Sequence, residues 1–313
     1  MTETALAGAS TAPAAGPTVL GWFQAGSPEW HAARAAGIGG SEIAAVLGLS
    51  PYESRFSLWH RKKGLLAPVD ETSVMYWGKK HEPTICDEFA ERHPEFKVAP
   101  SPTYATIGRP WQIANPDRHL WPAEDPRFLA PIEELLEAKT SRDDEGWGEE
   151  GTDQIPVYYR AQCLWYLDVL RARRCHVAVL IGLSDYREYV VEYDEAEARV
   201  LREAGAEFVR TLAAGERPSI DGHTATYQAI RDLPEGLDAV DVEIPTVLRD
   251  RWYAAQDAAW IAEDELTACK SELLDLIGTG QRAMCERVRI ATRTVRDGRT
   301  YQLLPARTRR TAR

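Results

Sequence analysis

Long apolar runs are missing from this chain, and no stretch approaches the roughly 20 residues that a membrane-spanning helix needs. No membrane partner is therefore expected. Cysteine is scarce and unpatterned. Cys86, Cys163, Cys175, Cys269 and Cys285 are scattered and odd in number, and none forms a C-x-x-C pair. This spacing supports neither a disulfide framework nor a zinc or iron–sulfur site, and a reducing cytoplasm is the expected compartment. The seven histidines contain no H-x-x-x-H pair. No serine stands in a G-x-S-x-G context, and no Gly-Lys-Ser/Thr follows the glycines near residue 40, so neither a hydrolase elbow nor a Walker loop is present. Surplus positive charge is also missing. Thirty-seven lysines and arginines against 48 acidic residues leave −11, which argues against a general polyanion binder. A local binding site is still open, because binding depends on where the charge lies.

What is there is the composition of a globular protein, 44% hydrophobic and 27% charged. The 313 residues suggest one large domain or two smaller ones. Residues 1–18 have neither a basic n-region nor an apolar h-region and read as a disordered leader, not a signal peptide. The other end is basic. From Arg282 to Arg313 ten arginines stand against only Glu286 and Asp297. A solubilising tail and a nucleic-acid contact both suit this composition.

Between the ends, periodicity alternates between helix and strand. "SPEWHAARAAGIGGSEIAAVLGLSPYESRFSLWHRKKG" reads as helices separated by a glycine turn, with Ser41 and Ser54 as caps and Gly48 and Gly64 as stops. "TSVMYWGKKHEPTICDEFAERHP" is helical and should bend at Pro83. Short strands are expected in "FKVAPSPTYATI", "WQIANPDRHLW" and "IEELLEAKTS". A helix follows over "IPVYYRAQCLWYLDVLRA", then two strands and a long helix. The fold class is α/β (α+β). Residues 216–245 have the Gly, Pro and Asp content of a linker. Beyond it, Leu248, Trp252, Ala255, Ala259, Ala262, Leu266, Cys269, Leu273 and Leu276 recur at steps of four and three, as in a coiled-coil or helical-hairpin seam. Asp297-Gly298 marks a hairpin turn after it.

Four constellations carry chemistry. Glu137 and Lys139 in "LLEAKTS" sit two apart in a strand and share one face. They are either an ion pair or half of a metal-dependent hydrolytic site. Asp117 in "ANPDRHL" stands at a strand end and would supply a second carboxylate for a divalent cation. Glu82 in "YWGKKHEP" is either a solvated helix residue or a further metal ligand. Gln162 and Tyr166, four apart on a helix, share a face; a buried polar contact and support of a metal site both fit. Arg34 and Ser41 in "RAAGIGGSE" would make an anion pocket at a helix N-terminus, or only a capped turn. Trp59, Arg61, Lys62 and Lys63 are either the lining of a DNA path or a solvated helix face.

Taken in order, "EWHAARAAGIGGSEIAAVLGLSPYESRFSLW", "WGKKHEP", "NPD", "LLEAKTS" and "IPVYYRAQCLWYLDV" resemble the YqaJ-type viral recombinase family, which is similar to phage lambda exonuclease within the PD-(D/E)XK nuclease group. The resemblance runs from about residue 22 to residue 215. It implies a restriction-endonuclease-like core, a central mixed sheet flanked by helices, over residues 19–215, with residues 246–313 as an extension of long helix, hairpin and arginine-rich tail. It implies Asp117, Glu137, the Ala138 carbonyl and Glu82 as metal ligands, Lys139 as the catalytic lysine, and Gln162 as support. Arg34 and Ser41 would hold a terminal 5′-phosphate, with Trp30 in the same frame. The implied activity is Mg²⁺-dependent 5′→3′ digestion of linear double-stranded DNA in phage-type recombination, with Mn²⁺ as a substitute ion. The implied partners are DNA ends, a single-strand annealing protein and further copies of the chain, which form rings in some members of the group, inside a bacterial host cell as a phage or prophage product. A structure-specific endonuclease on the same fold, or an inactive DNA-binding or assembly protein, are the alternatives. The cysteine-ligated cluster of some relatives has no counterpart in the cysteine spacing.

Overall fold

A computed structural model describes residues 17–23, 26–35, 37–125, 132–233, 236 and 238–306. Most of the expected leader and the last four arginines of the tail lie outside them. The chain divides into two compact units, Met1–Glu235 and Gly236–Arg313.

The first unit opens with β1 (Pro17–Gly21), α1 (Pro28–Ala35), β2 (Ile38–Gly39), α2 (Gly40–Val46) and α3 (Arg55–Lys62). α4 (Ser73–Arg92) follows, then β3 (Phe96–Pro100), β4 (Thr103–Thr106), β5 (Arg109–Ala114), β6 (Arg118–Pro122) and β7 (Glu134–Ser141). α5 (Val157–Leu170), β8 (Arg174–Ile181), β9 (Asp185–Glu192), α6 (Glu195–Ala214) and α7 (Thr224–Asp232) complete it. The fold class is thus the expected mixture of sheet and helix. Strands β3-β6-β7-β8-β9 form one sheet, in which β7 and β8 run parallel and the other neighbours antiparallel. Strands β1-β4-β5-β2 form a second.

Both faces of the five-stranded sheet are covered, as a parallel central pair requires. Leu135, Val177 and Val179 face the α5 side and pack with Leu164, Trp165 and Leu167. Leu136 and Ala178 face the α4 side and pack with Ile85, Cys86 and Phe89. β7 therefore sends alternate residues to two different helices, as its period of two dictates.

Two readings of the sequence are corrected. Ser54 caps α3, accepting the Ser57 N–H at 3.0 Å, but Ser41 caps nothing. α2 starts one turn position earlier, with Gly39 as its N-cap, and the Ser41 hydroxyl is taken up by Arg34. α4 is the expected helix with Pro83 inside it. The stretch read as a linker contains α7, whose Thr226 hydroxyl donates to Ser54 Oγ at 2.7 Å and whose Ala229 is buried. Of the stretch read as a DNA path or a solvated helix face, Trp59 is neither, since its ring is buried in the core.

The second unit holds α8 (Thr246–Ile277) and an antiparallel three-stranded sheet of β10 (Arg282–Cys285), β11 (Val288–Arg296) and β12 (Arg299–Pro305). Asp297 and Gly298 both have positive φ, 53° and 73°, the turn that an Asp-Gly pair favours. The hairpin is thus one half of a three-stranded sheet. Ala283, Ala291 and Leu303 form a small core with Leu273, Leu274 and Ile277 from the last turns of α8.

A buried charge network clamps α5 to its neighbours. Asp168 accepts from Arg202 at 2.6 Å, Gln112 at 2.6 Å, Tyr193 at 3.1 Å and Arg109 at 3.3 Å. The Asp168→Ala variant removes the buried carboxylate that Arg202 and Arg109 share, with Glu195 still paired to Arg202, and is expected to cost about 3–5 kcal/mol. Urea denaturation checks this, and a change under 1 kcal/mol would contradict the clamp.

Candidate active site

Strand register explains why Asp117 and Glu137 meet. β6 pairs with β7 from Leu120 opposite Glu134 to Arg118 opposite Leu136, and the ladder stops there. The next pair in register would be Asp117 and Glu137. The ladder ends at this point because the Asp117 side chain takes the place of backbone: its Oδ2 accepts the Ala138 N–H at 2.8 Å. An otherwise unpaired strand donor is satisfied by a carboxylate.

Glu137 points to the α5 side, where its partners lie. Gln162 Nε2 donates to Glu137 Oε1 at 2.6 Å, and Lys139 Nζ donates to the same oxygen at 2.6 Å. The shared face expected of Glu137 and Lys139 is therefore found, and so is the ion pair. Gln162 Nε2 also lies 3.0 Å from the Tyr166 hydroxyl. The Lys139 ammonium sits 4.8 Å from the ring centre of Tyr159, within cation–π range. Glu137 Oε2 is buried and has no hydrogen-bond partner.

The electrostatics are those of a like-charge pair held by one cation. Burial pushes the Asp117 carboxyl well above the usual range, and the charges of Glu137 and Glu82 push it the same way; Lys139 and the Ala138 N–H oppose them. Glu137 is raised too, chiefly by burial, with Lys139 offsetting part of it. Burial works against the Lys139 charge, but Glu137, Asp117 and Tyr159 outweigh it, and the ammonium is held well above its ordinary value. Lys139 is therefore charged at neutral pH.

Glu82 is close enough to act on both carboxyls, but its own partner is Arg118, which donates to Glu82 Oε1 at 2.8 Å. Register explains this. Arg118 stands opposite Leu136 and so shares its face, the one that α4 covers. Among the described residues no three of His, Cys, Asp and Glu converge to form a metal-holding group. Two carboxylates and a backbone carbonyl are still a sufficient protein share for Mg²⁺, which keeps several of its waters. The partnerless Glu137 Oε2 fits such an ion, since a buried anionic oxygen without a donor is costly.

The second cluster lies at the start of α2. Arg34 donates to Ser41 Oγ at 3.0 Å and lies 4.3 Å over the Trp30 ring. Glu42 occupies the centre of the cluster. It accepts the Gly39 N–H at 2.7 Å, pairs with Lys62 at 2.9 Å and lies 3.6 Å from Arg34. Burial would raise the Glu42 carboxyl, but Arg34, Lys62 and the Gly39 N–H together hold it below its ordinary value. Two cations and one carboxylate leave one net positive charge at a helix N-terminus.

Tyr166 joins the two clusters. A Cβ at Gly40 would lie 2.4 Å from Tyr166 Cε1, so only glycine lets α2 approach the ring this closely. The Tyr166 hydroxyl, with Gln162, then leads to Glu137.

Sequence reasoning missed Glu42, Arg118 and Tyr159. Glu42 follows Gly39 by three positions, the spacing of a capping box. Arg118 adjoins Asp117, and Tyr159 lies one turn before Gln162. His119 is buried and its imidazole is pushed down to about 4 by that burial, so it is neutral at ordinary pH.

A raised carboxyl favours protonation in the folded state, so the folded chain loses stability as pH rises past the ordinary carboxylate range. In metal-free buffer Asp117→Asn is therefore expected to melt a few degrees higher than the wild type at pH 8. The gain should vanish below about pH 4. Thermal melts across pH check this; a gain equal at every pH would assign it to packing instead of charge.

Residues 29–173 match the family model described as the YqaJ-like viral recombinase domain. "Uncharacterized protein YqaJ" of Bacillus subtilis (strain 168) is 29% identical over 210 residues, 65% of this chain. The match covers 62% of that protein, so the chain spans about three fifths of its curated relative's length. Among solved structures, an alkaline exonuclease from Laribacter hongkongensis is 16% identical with a TM-score of 0.45, over 60% of this chain and 94% of that one. A phage related exonuclease from Haemophilus somnus 129PT is 8% identical with a TM-score of 0.38, over 57% and 96%. The family match spans all the site residues from Arg34 to Tyr166, and over residues 29–173 the chain is similar to the YqaJ-like viral recombinase domain.

Proposed function

We propose that the chain is a metal-dependent deoxyribonuclease that degrades linear double-stranded DNA from its ends, 5′→3′, in phage-type recombination. The observation that supports this most is the buried set of Asp117, Glu137 and Lys139, with one carboxylate oxygen of Glu137 left without a partner. Two ionisable carboxyls side by side in a low-dielectric position weaken the fold, and such positions are more often functional than structural.

Asp117, Glu137 and the Ala138 carbonyl would hold Mg²⁺, or Mn²⁺ in its place, with Glu82 contributing negative charge from the α4 side. A bound ion of this kind polarises a phosphate and lowers the pKa of an attacking water. In the metal-free site Glu137, Asp117 and Tyr159 favour the charged form of Lys139. Its ammonium offsets the charge that builds on the phosphoryl oxygens as water attacks. Gln162 fixes the Glu137 carboxylate by its hydrogen bond to Oε1, and Tyr166 fixes Gln162.

Arg34 and Ser41, with Lys62 adding charge, would take the terminal 5′-phosphate. A phosphate held there, a short chain of contacts away from Glu137, sets the cleavage point relative to the strand end. That arrangement makes the activity exonucleolytic. A single-strand annealing protein would receive the 3′-ended strand left behind, and further copies of the chain would keep the enzyme on its substrate.

Purified wild-type protein with Mg²⁺ is expected to degrade linear duplex DNA and to leave covalently closed circles intact. Lys139→Ala should lose about 10²–10³-fold in rate. Arg34→Ala should lose the preference for 5′-phosphorylated over 5′-hydroxyl ends. Cutting of closed circles would favour the endonuclease alternative. If DNA binds but is cut under no divalent ion, the inactive assembly reading takes over.

A further inference from the structure

α8 has no buried residue along its 32 positions, although its seam carries Leu248, Trp252 and Leu266, each at least two fifths exposed. Only its last turns are used locally, through Leu273, Leu274 and Ile277. From Leu248 to Leu266 the seam at steps of four and three is free within its own unit, a length of about 28 Å. A helix whose apolar seam is exposed over this length is stable only against a partner.

The seam has a polarity of its own. Its large residues lie at the ends and its small ones in the middle. Its flanks are also divided: Arg249 and Arg251 border the N-terminal half, Glu263 and Glu265 the C-terminal half. A helix of this kind is complementary to itself when turned end to end. With a two-fold axis at the level of Asp257, Leu248 meets Leu266 of the partner subunit. Trp252 meets the small Ala262 of the partner subunit, and Ala255 meets Ala259 of the partner subunit. The same register sets Arg249 against Glu263 of the partner subunit and Arg251 against Glu265 of the partner subunit, each contact made twice by symmetry. A parallel pairing does worse. It stacks Trp252 on its own copy and sets Arg251 beside the neutral Gln256.

We infer that α8 is a dimerisation helix, and that two copies of this chain pair through it as an antiparallel coiled coil centred near Asp257. The interface is separate from the residues of the proposed nuclease site and stands whether or not that site cuts DNA. Ala255 and Ala259 allow the two backbones to approach closely at the centre, and the bulky layers close the ends.

Cys269 gives an internal check. It is exposed, lies outside the antiparallel overlap, and stands about 36 Å from its copy along the axis. In a parallel coil the two thiols would face each other and could be bridged.

The test uses the full chain with Cys285→Ser, in sedimentation at micromolar concentration. Arg249→Glu/Arg251→Glu and Glu263→Arg/Glu265→Arg are each expected to halve the sedimenting mass. The four substitutions together are expected to restore it. All four positions are exposed, so circular dichroism should show the fold unchanged. Oxidation should give no Cys269 cross-link. The inference is overturned if the mass ignores the charge reversals, if the fourfold variant stays small, or if Cys269 cross-links. It is equally overturned if the wild type is a monomer, whether the seam is then covered by its own chain or by another protein.

Discussion

Two carboxyls that repel one another are held side by side at the end of the β6–β7 ladder, and most of the first unit serves to keep them there. The ladder stops so that Asp117 can replace a backbone acceptor. Lys139, two residues along the same face, supplies a positive charge within bonding distance of Glu137. α5 lies over that face and brings Gln162 and Tyr159, one to hold the carboxylate and one to receive the ammonium against its ring. The Asp168 network fixes α5 in turn to β5 and α6. The arrangement is costly in isolation. Its cost is what makes the position attractive to a cation, because an ion that neutralises the pair recovers free energy stored in the fold.

Much of the core was legible because its signals are short-range. The period of two in "LLEAKTS" gives the facing of Glu137 and Lys139 without any knowledge of the rest. The spacing of four between Gln162 and Tyr166 likewise gives their shared face. Register was not legible, and register brings Asp117 to Glu137 and carries Arg118 to the face that α4 covers. A three-carboxylate cluster is a natural guess from the linear order, yet Glu82 rides on the helix beneath the sheet and is met by Arg118.

Local composition also misled at identifiable places. Glycine and proline around residues 216–245 read as a connector, but Thr226 and Ala229 have a surface to bury against, and tertiary contact decides for helix. The turn between β10 and β11 uses Glu286 and Arg287, both at positive φ, where no Asn-Gly or Asp-Gly pair announces it. Ser41 looked like a cap because hydroxyls commonly are; the nearby Arg34 guanidinium is the stronger partner and takes it. Glu42 stayed hidden because its importance lies in two cations that reach it from α1 and α3.

The missing Cβ of Gly40 has a consequence for how this protein can change over time. The helix that carries Ser41 rests directly on the Tyr166 ring, with no side chain between them. Any residue larger than glycine at position 40 must either push the helix away or displace the ring that braces Gln162. A smaller residue at position 166 would make room, but taken first it would unbrace the glutamine. Neither step is neutral alone, so the two positions are locked to each other. The spacing between the Arg34–Ser41 cluster and the carboxylate pair is thereby inherited as a unit, not adjusted one residue at a time.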